Sequence, residues 1–399
     1  MNVVMLGEYY KPNLIGGAEI QAMRRAEGLV KMGLKVMVVS FDSDRGTIEE
    51  TINGVKVIRH QLLTHKGRMV SLLLPVFRAL KKYEFIADVY HLYNIYPLSG
   101  GGLYKLTGGK KPVIASLDNY GGFCPISTAM YGECNFLCRY SCLNRTSNNT
   151  VERIFSFPYS CIYPLMRHLS KRVDRYIAVS DHVKHEYIRR GFDSYKIVVI
   201  PNSIDTRNFD NIHKIRHDGI NILYLGRMEE AKGVSILIDA FKIISKSYQN
   251  AKLILVGDGP LLNRYRMLAY QDGIEDKIIF AGHQNQDITS YYYSLADIFV
   301  HPAIFNEPFG ITLLEAMGHE IPILVSDVGS LANIVKDAGV SFRKGDAKDL
   351  DNKLILIIEN KHKLIELSKR SKQVLREYDD QLAFKAIIKA YNEAKKGSI

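Results

Sequence analysis

Residues 221–226, NILYLG, are a run of mostly apolar residues that ends in a glycine. The same pattern returns at residues 252–257, KLILVG, and at residues 277–282, KIIFAG. Between these runs the apolar residues recur at helical spacing, over residues 232–246 and again from residue 260. Short apolar runs that alternate with helices are typical of a parallel sheet covered by helices. The second half of the chain is therefore predicted to be a doubly wound α/β domain.

The first half of the chain shows the same alternation. Its opening strand is followed by the loop NLIGGAEI, a helix and a second strand, KVMVVS. Strands of this half are expected at Val3–Leu6, Asp88–Tyr93, Val113–Leu117 and Tyr176–Ser180. Residues 118–150 lack such regularity and are predicted to form a long loop or lid.

Both halves together predict an α/β fold with two Rossmann-like, doubly wound domains. Residues 198–206, VVIPNSIDT, indicate a strand, a turn and the linker between the domains. The predicted boundaries are residues 1–200 for the first domain and residues 201–375 for the second. Residues 376–399 are expected to form an amphipathic helix that packs back toward the first domain. Two such domains facing each other leave a cleft at the carboxyl ends of their strands, where ligands bind in such sheets.

Length and composition narrow the class of protein. The chain has 399 residues, of which 47% are apolar and 24% charged, as in an ordinary globular protein with room for two domains. No run approaches the roughly 18 to 20 apolar residues that span a bilayer. The start, MNVVMLGEYY, lacks the basic segment of a signal peptide. A cytoplasmic protein is therefore expected.

The net charge of +11 is concentrated in the first half of the chain. Residues 1–200 contain 27 Lys and Arg against 16 Asp and Glu, whereas residues 201–399 contain 26 of each. This asymmetry favours an anionic partner, such as a membrane surface, unless the charge serves solubility alone. Residues 59–82 mix basic and histidine positions with Leu, Val, Met and Phe. They are expected either to lie on an anionic membrane surface or to form a core-facing helix with a wet basic edge.

Four of the five cysteines cluster in the irregular stretch, at Cys124, Cys134, Cys138 and Cys142. In a cytosolic chain such clusters indicate metal sites or reactive thiols more often than disulfides. However, the spacing C-x9-C-x3-C-x3-C matches no standard zinc pattern. The sequence is compatible both with a metal site and with ordinary buried thiols. None of the four cysteines is predicted as a metal ligand.

Residues 307–315, EPFGITLLE, place two carboxylates around a turn into a helix. Pro308 favours an extended Glu307 before it, and the pattern from Gly310 onward is that of a buried helix. The first amides of this helix and the positive end of its dipole would face whatever lies beside Glu307. Such a place suits a phosphate, and a neighbouring carboxylate suits sugar hydroxyls. The stretch therefore predicts a site for a phosphorylated sugar.

Cations and glycines follow several other predicted strands. Arg227 and Lys232, in YLGRMEEAKG, could hold a diphosphate without a metal, or could be a surface arginine and a helix-starting lysine. Gly257 in LVGDGP and the pair Gly16-Gly17 stand where a backbone can approach a ligand closely, or they are simply turns.

These motifs together resemble the retaining glycosyltransferases of family 4, the group 1 enzymes with a GT-B fold. The resemblance is carried by GRMEEAKG, LVGDGP, FAGH and EPFGITLLE, and in the first half by the GGAE loop, the Asp88–Asn94 strand end and PNSID. It implies retaining transfer of a sugar from a nucleotide-diphosphate donor to a glycan or lipid-linked acceptor, in cell-surface polysaccharide biosynthesis. The protein would act in the cytoplasm or on the inner face of the cell membrane, without a cofactor or metal and without nucleic acid as a partner.

The resemblance also implies roles for single residues. Glu307 corresponds to the carboxylate that grips the donor sugar, and Glu315 to the one that holds the donor ribose. Arg227 and Lys232 correspond to the clamp on the leaving diphosphate. The remaining donor-binding positions that it implies are Gly17, Gly257, His283, Phe309, Gly310 and Ile311.

The first domain departs from the family pattern on the acceptor side. In the segment SLDNYGGFCP, Asp118 stands where family members commonly carry a histidine, and Tyr93 replaces a second histidine at a strand end. Asp118 is therefore a candidate catalytic group that accepts a proton from an acceptor hydroxyl, or else a residue that only anchors the acceptor.

Other classes of function are compatible with the predicted fold. A sugar-nucleotide epimerase would need acid–base carboxylates in both domains, and Asp118 is the one candidate in the first. A phosphorylase would need a pyridoxal-phosphate lysine in a recognisable setting, which the sequence does not show. A non-catalytic scaffold would be expected to have lost Glu307 or Lys232, and both are present.

Overall fold

The computed structural model describes residues 1–13, 16–61, 68–94, 96–125, 127–129, 135–146 and 150–397. The chain forms two compact units. One comprises Met1–Asn202 together with Gln381–Ile399, and the other comprises Ser203–Asp380. Among the described residues, no helix has the length and apolar character needed to cross a bilayer.

The first unit is built on an eight-stranded sheet in the order β3-β4-β2-β1-β5-β6-β7-β8. Its strands are β1 Asn2–Leu6, β2 Lys35–Ser43, β3 Ile48–Ile52, β4 Val55–Gln61, β5 Val89–Leu92, β6 Val113–Leu117, β7 Arg175–Ala178 and β8 Ile197–Val199. The pairs are parallel except for the β3–β4 hairpin. Strands β5 and β6 are buried along their whole length, which explains why their sequences are apolar except for His91 and Ser116.

Helices cover this sheet, and one of them comes from the end of the chain. They are α1 Gly17–Lys31, α2 Arg68–Ser71, α3 Leu73–Lys82, α4 Leu98–Leu106, α5 Phe136–Thr146, α6 Thr150–Ser170, α7 Asp181–Arg189 and α15 Asp380–Lys396. Ile387 and Tyr391 of α15 belong to the same apolar core as Val3 of β1. Gly28 of α1 makes room for α15, since a Cβ at that position would lie 2.1 Å from the Phe384 ring.

The prediction of a long loop or lid over residues 118–150 was wrong in part. Within this stretch the structure contains α5, and α6 begins at Thr150. Helix α5 starts after Asn135, whose side chain accepts a hydrogen bond of 2.8 Å from the Cys138 amide. This is a helix-capping contact, and it marks the residue at which the helix begins.

The second unit is built on a six-stranded parallel sheet in the order β11-β10-β9-β12-β13-β14. Its strands are β9 Ile220–Leu225, β10 Ala251–Val256, β11 Ile278–Gly282, β12 Ile298–His301, β13 Ile323–Ser326 and β14 Gly339–Phe342. Its helices are α8 Val234–Ser247, α9 Leu262–Gln271, α10 Gln286–Leu295, α11 Ile311–Gly318, α12 Leu331–Val335, α13 Ala347–Glu359 and α14 Lys361–Leu375. The predicted α/β class with two Rossmann-like, doubly wound domains is confirmed.

Each sheet has a point where the direction of strand order reverses. In the second unit, β9 lies between β10 and β12, so the loops after β9 and β12 diverge from neighbouring strand ends. In the first unit, β1 lies between β2 and β5 in the same way. Ligands of doubly wound folds bind at such switch points, beyond the carboxyl ends of the strands. The two switch points are therefore the candidate ligand sites.

Candidate functional site

An ion pair joins the two loops at the switch point of the second unit. Lys232 lies in the loop after β9 and Glu307 in the loop after β12, and Lys232 Nζ is 2.7 Å from Glu307 Oε2. The ammonium group also lies 4.9 Å from the centre of the Phe305 ring, within cation–π range. Two residues predicted for the site, 75 positions apart in sequence, are thus brought together.

The backbones of the two loops are packed closely enough to fix this pair. The amide of Ile304 donates a hydrogen bond of 2.9 Å to the carbonyl of Ala231. Gly233 has φ +67°, and a Cβ at that position would lie 2.0 Å from the Pro302 carbonyl oxygen. The predicted helix over residues 232–246 therefore begins as α8 only at Val234, after a 3-10 turn over Glu230–Lys232.

Glu307 is buried and ionised. Its Oε2 atom lies 3.2 Å from Nε2 of His301, the last residue of β12, as well as beside Lys232. Burial by itself raises the pKa of Glu307, but the charge of Lys232 and the hydrogen bond from His301 outweigh it and lower the pKa to about 2. The sequence did not single out His301, although it directly ends a predicted strand. A carboxylate in this setting accepts hydrogen bonds at neutral pH and does not act as a proton donor.

The low pKa predicts how stability depends on pH. The pKa of Glu307 in the folded chain, about 2, lies below the ordinary value of 4.5. Its ionised form therefore adds to the free energy of unfolding above about pH 4.5, by about 3 kcal/mol, and this contribution is lost as the pH falls toward 2. Glu307→Gln cannot titrate, so wild type and variant should differ most in urea unfolding near pH 7, and the gap should narrow progressively as the pH falls from about 4.5 toward 2. A gap that is constant with pH would contradict the low pKa.

The loop after β13 holds the backbone of residues 307 and 308 by hydrogen bonds. The Ser330 amide donates a hydrogen bond of 3.1 Å to the Glu307 carbonyl, and the Ser330 hydroxyl lies 2.7 Å from the Pro308 carbonyl. Gly329 has φ +58°, and a Cβ there would lie 2.4 Å from the Glu307 carbonyl oxygen. This glycine allows the two loops to touch, and Glu307 has a defined backbone position as a result.

Helix α11 begins directly after this loop. Gly310 precedes it with φ +86°, a left-handed conformation that favours glycine. Phe309 is buried and packs edge-on against Tyr378, with ring centres 5.7 Å apart, so its side chain belongs to the core. Within the helix, the Glu315 carboxylate accepts a hydrogen bond of 2.8 Å from the Tyr293 hydroxyl. Tyr293 was not recognised from the sequence, since it lies in a tyrosine run on α10 with no other signal.

The two cations of the predicted clamp have different surroundings. Lys232 is mostly buried, with 18% of its side chain exposed, whereas 67% of the Arg227 side chain is exposed. The Arg227 guanidinium pairs with Glu229 at 3.7 Å. Lys232 is therefore the cation that the fold holds beside Glu307, and Arg227 stands in solvent on the same loop.

Glycines close the ends of three neighbouring strands in this unit. Gly257 has φ +130°, and a Cβ there would lie 2.0 Å from the Gly226 carbonyl oxygen. Its amide donates a hydrogen bond of 2.8 Å to the carbonyl of Gly282. The glycine at position 257 is thus required by the contact between loops, whether or not a ligand approaches it. His283 follows Gly282 and is exposed.

A buried carboxylate cluster lies at the switch point of the first unit. Asp118 follows β6, and its carboxylate lies 3.7 Å from the Arg25 guanidinium and 3.4 Å from the Asn94 amide. The Asn94 side chain donates a hydrogen bond of 3.0 Å to Glu19, in the first turn of α1. Burial raises the pKa of both Asp118 and Glu19 above the ordinary carboxylate values. Glu19 was missed as a site residue, although the GGAE motif contains it; Gly17, at the start of α1, is exposed.

A hydrogen-bond network fixes Arg25 below this cluster. Its guanidinium donates to the Ser116 hydroxyl at 2.8 Å and to the Asn202 side chain at 3.0 Å. His91 lies 2.9 Å from the same hydroxyl and 2.7 Å from the Tyr391 hydroxyl on α15. Burial, assisted by the charge of Arg25, lowers the pKa of His91 to about 3, so His91 is neutral at physiological pH.

The cysteine cluster does not assemble a metal site in the described part of the chain. Among those residues, no group of three or more His, Cys, Asp or Glu is arranged to hold a metal ion. The sulfur atoms of Cys138 and Cys142 lie 3.8 Å apart on successive turns of α5. Cys134 lies outside the described residues, so the hypothesis of a metal bound by the four cysteines stays untested.

Comparison with known proteins identifies related chains over both units. The family described as Glycosyltransferase Family 4 matches residues 15–208, and the family described as Glycosyl transferases group 1 matches residues 205–374. An uncharacterized glycosyltransferase of Methanocaldococcus jannaschii is 28% identical over 342 residues, which are 84% of this chain and 83% of that protein. An alpha-monoglucosyldiacylglycerol synthase of Acholeplasma laidlawii is 24% identical over 410 residues, with 97% of this chain and 95% of that protein covered.

A solved structure of an Anabaena protein in complex with UDP and glucose shares the fold. It has a TM-score of 0.72 at 18% identity and covers 97% of this chain and 98% of that one. The predicted GT-B fold is confirmed. The roles predicted for single residues stay predictions.

Proposed function

The chain belongs to the group 1 glycosyltransferases, and from this we propose that it moves a sugar, with retention of configuration, from a nucleotide-diphosphate donor to a glycan or lipid-linked acceptor. Cell-surface polysaccharide biosynthesis is the proposed setting. The observation that carries the proposal is the buried Lys232–Glu307–His301 group at the switch point of the second unit. Retention is proposed from the resemblance to the retaining enzymes of family 4.

The donor is proposed to bind in the second unit, with its diphosphate at Lys232. During transfer the bond between the anomeric carbon and a diphosphate oxygen breaks, and negative charge develops on the leaving group. Lys232 already has one carboxylate partner, so an incoming phosphate would share its ammonium group. The backbone amides after Gly310, at the start of α11, would contribute the positive end of a helix dipole. The exposed Arg227 side chain would bind the diphosphate from the solvent side of the site.

Glu307 is proposed to face the sugar as an ionised group. With a pKa of about 2 it is deprotonated at neutral pH. It can accept hydrogen bonds from sugar hydroxyls and can stabilise positive charge on the anomeric carbon. Glu315, held by Tyr293, is proposed to accept hydrogen bonds from the donor ribose. His283 is proposed to lie beside the nucleotide base.

The acceptor is proposed to bind to the first unit, near Asp118. Its carboxylate has a raised pKa because it is buried, so it is a stronger base than an exposed aspartate. It can take the proton from an acceptor hydroxyl as that oxygen attacks the sugar, or it can hold the hydroxyl in place. Glu19 lies in the same cluster, and we propose that it contributes to acceptor binding through Asn94.

A lipid-linked acceptor is supported by a relative and by charge. The Acholeplasma relative is named as a synthase of a glycosylated diacylglycerol. In this chain α3 buries Val76 and Leu80 and exposes Arg78 and Lys82, so it has a core-facing side and a basic edge. We propose that this edge faces an anionic membrane surface, where each Lys or Arg contributes on the order of 1 kcal/mol. Residues 62–67 of the predicted basic segment lie outside the described residues.

A screen of donors by thermal unfolding tests the proposal. We expect one of the UDP-, GDP- or ADP-sugars to raise the melting temperature, because a ligand at 100 times its dissociation constant adds about 2.7 kcal/mol to the free energy of unfolding. The shift should persist in EDTA, because Lys232 and the amino terminus of α11 are proposed to neutralise the diphosphate without a metal ion. The matching nucleosides, which lack phosphate, are the control and should give much smaller shifts.

Two outcomes would contradict the proposal at different points. If no nucleotide sugar shifts the transition, the second unit does not bind such a donor under these conditions and the function is wrong. If the shift disappears in EDTA and returns with magnesium, the donor class stands but metal-independent binding is excluded.

A further inference from the structure

Helix α6 of the first unit exposes large apolar residues on the side that most surface helices reserve for polar ones. Ile154, Phe157 and Leu165 are 67%, 55% and 56% exposed, whereas Ser156 and Ser160 are buried. A surface helix usually turns its apolar stripe toward the core and its polar residues to solvent. The inward positions of α6 are shared by these serines and by Tyr163, Met166 and Leu169, and large apolar residues occupy outward positions as well.

The buried serines do not depend on water or on partners elsewhere. The Ser156, Ser160 and Ser170 hydroxyls donate to carbonyls of the same helix, at 2.6, 2.7 and 2.9 Å. Their small size lets α6 pack closely on its neighbour, and Gly102 of α4 does the same from the other side. A Cβ on Gly102 would lie 1.8 Å from the Leu169 carbonyl oxygen. The inward side of α6 is therefore a defined packing surface. This orientation leaves Ile154, Phe157 and Leu165 on the outward side.

Helix α5 extends the same apolar surface. The Phe136 and Tyr140 rings lie edge-on to Phe157 of α6, with centres 5.8 and 6.2 Å apart. Leu137 on α5 is 73% exposed. We call this surface the α5–α6 face; its members are Phe136, Leu137, Tyr140, Ile154, Phe157, Ile162 and Leu165.

A hydrogen bond between the two helices holds the α5–α6 face in one piece. Pro164 lacks an amide hydrogen, so the Ser160 carbonyl four residues earlier receives no helical hydrogen bond from it. Arg139 of α5 donates to this carbonyl at 3.3 Å. The proline on the outer side of α6 thus creates the acceptor that fastens α5.

The segment of sequence that carries the α5–α6 face is basic. Residues 135–173 contain six Lys and Arg against one Glu. Exposed Arg153 lies near the start of α6, and exposed Arg172 lies just beyond its end, on either side of its apolar residues. Helices that lie in the interface of an anionic bilayer combine aromatic and aliphatic residues with flanking cations in this way.

We infer that the α5–α6 face inserts into the interfacial region of an anionic lipid bilayer. A second copy of the chain is a poorer occupant, because two such faces would bring like charges together. The helices α3, α4, α6 and α5 pack against one another in that order, so the face and the basic edge of α3 belong to one group of packed helices. The inference deepens the proposed function, on which it rests for a lipid-linked acceptor, by identifying the surface that reaches the lipid.

The test is binding of the full chain to vesicles. Leu137→Ser, Phe157→Ser and Leu165→Ser are combined in one variant. The control variant combines Met267→Ser, Tyr270→Ser and Leu356→Ser, which remove equally exposed apolar side chains from the second unit. Co-sedimentation is measured with phosphatidylglycerol–phosphatidylcholine vesicles and with phosphatidylcholine vesicles alone, at low and high salt.

We expect the wild type to prefer the anionic vesicles and the α5–α6 variant to bind them about 100-fold more weakly, since three half-exposed apolar groups no longer enter the bilayer. The control variant should bind as wild type does. High salt should weaken the wild type without abolishing its binding, because screening leaves apolar insertion in place.

Three results would overturn the inference: no vesicle binding by the wild type, equal binding by the α5–α6 variant, or an equal loss in the control variant. A wild-type dimer in solution that the α5–α6 variant converts to monomer, without vesicle binding, would assign the face to a second copy instead. Donor binding is measured on the same samples without vesicles and should be the same in all three. If vesicles bind as expected but no nucleotide sugar does, the proposed function fails and the membrane surface stands.

Discussion

Replacing Glu307 with glutamine should reduce sugar transfer by about 100- to 1,000-fold, the range seen when one fixed electrostatic group is removed from a transition state. The amide keeps the size of the carboxylate but has no negative charge to stabilise the positive charge that develops on the anomeric carbon. Binding of the nucleotide should change little, because Glu307 is proposed to contact the sugar. The measurement is transfer under saturating donor, beside donor affinity by calorimetry.

The same substitution should also lower stability, and this must be separated from catalysis. It leaves the Lys232 ammonium beside a neutral group in a largely buried place, and breaking such pairs costs about 3–5 kcal/mol. Assays therefore belong well below the melting temperature of the variant. Glu320→Gln is the matched control, since Glu320 pairs with Lys372 on the surface and 48% of its side chain is exposed. Near-wild-type turnover of a folded Glu307→Gln protein would remove Glu307 from the mechanism.

Removing Lys232 should weaken diphosphate sugars much more than removing Arg227. Truncating one partner of a buried, hydrogen-bonded charge pair costs about 2–5 kcal/mol, which is roughly 30- to 4,000-fold in dissociation constant. An exposed arginine in a weak pair contributes about 1 kcal/mol or less. Calorimetry of Lys232→Ala, Arg227→Ala and the double variant with the nucleotide sugar and with the free nucleoside measures both effects.

The nucleoside distinguishes a diphosphate clamp from a general loss of the site. It should bind all three variants almost as it binds the wild type, because its contacts are proposed to lie at Glu315 and His283. Equal losses for nucleoside and nucleotide sugar would argue against a clamp. A larger effect of Arg227→Ala than of Lys232→Ala would show that exposure in the free protein does not indicate the role of each cation.

The sequence predicted most of the parallel strands of both sheets because parallel strands buried on both faces are largely apolar runs. Strand β14 at Gly339–Phe342 was not predicted. The β3–β4 hairpin was not predicted, although Asn53-Gly54, a frequent two-residue hairpin turn, lies between the strands. Helix α5 was not predicted either. Its sequence lacks the usual amphipathic pattern because apolar residues such as Leu137 face solvent.

The sequence identified several residues of the candidate site, but it did not predict which of them contact one another. EPFGITLLE pointed to Glu307 and Glu315, since the proline restricts the backbone after Glu307 and the glycine permits the turn into the helix that carries Glu315. The pairing of Glu307 with Lys232 depends on the order of β9 and β12 in the sheet, which local patterns do not specify. Tyr293 and His301 support the two glutamates from other elements, and residues in such roles have no motif of their own.

The first unit is made from two separate parts of the chain, and this affects the order in which the protein can fold during synthesis. The polypeptide leaves this unit at Asn202 and returns to it at Gln381. Domains that emerge whole from the ribosome can fold at once. The second unit is such a domain, whereas the first must wait with part of its core uncovered until α15 emerges and Tyr391 reaches His91. The unit that emerges first is thus the last to be completed, and a nascent chain stalled after residue 380 would carry a finished second unit and an unfinished first unit.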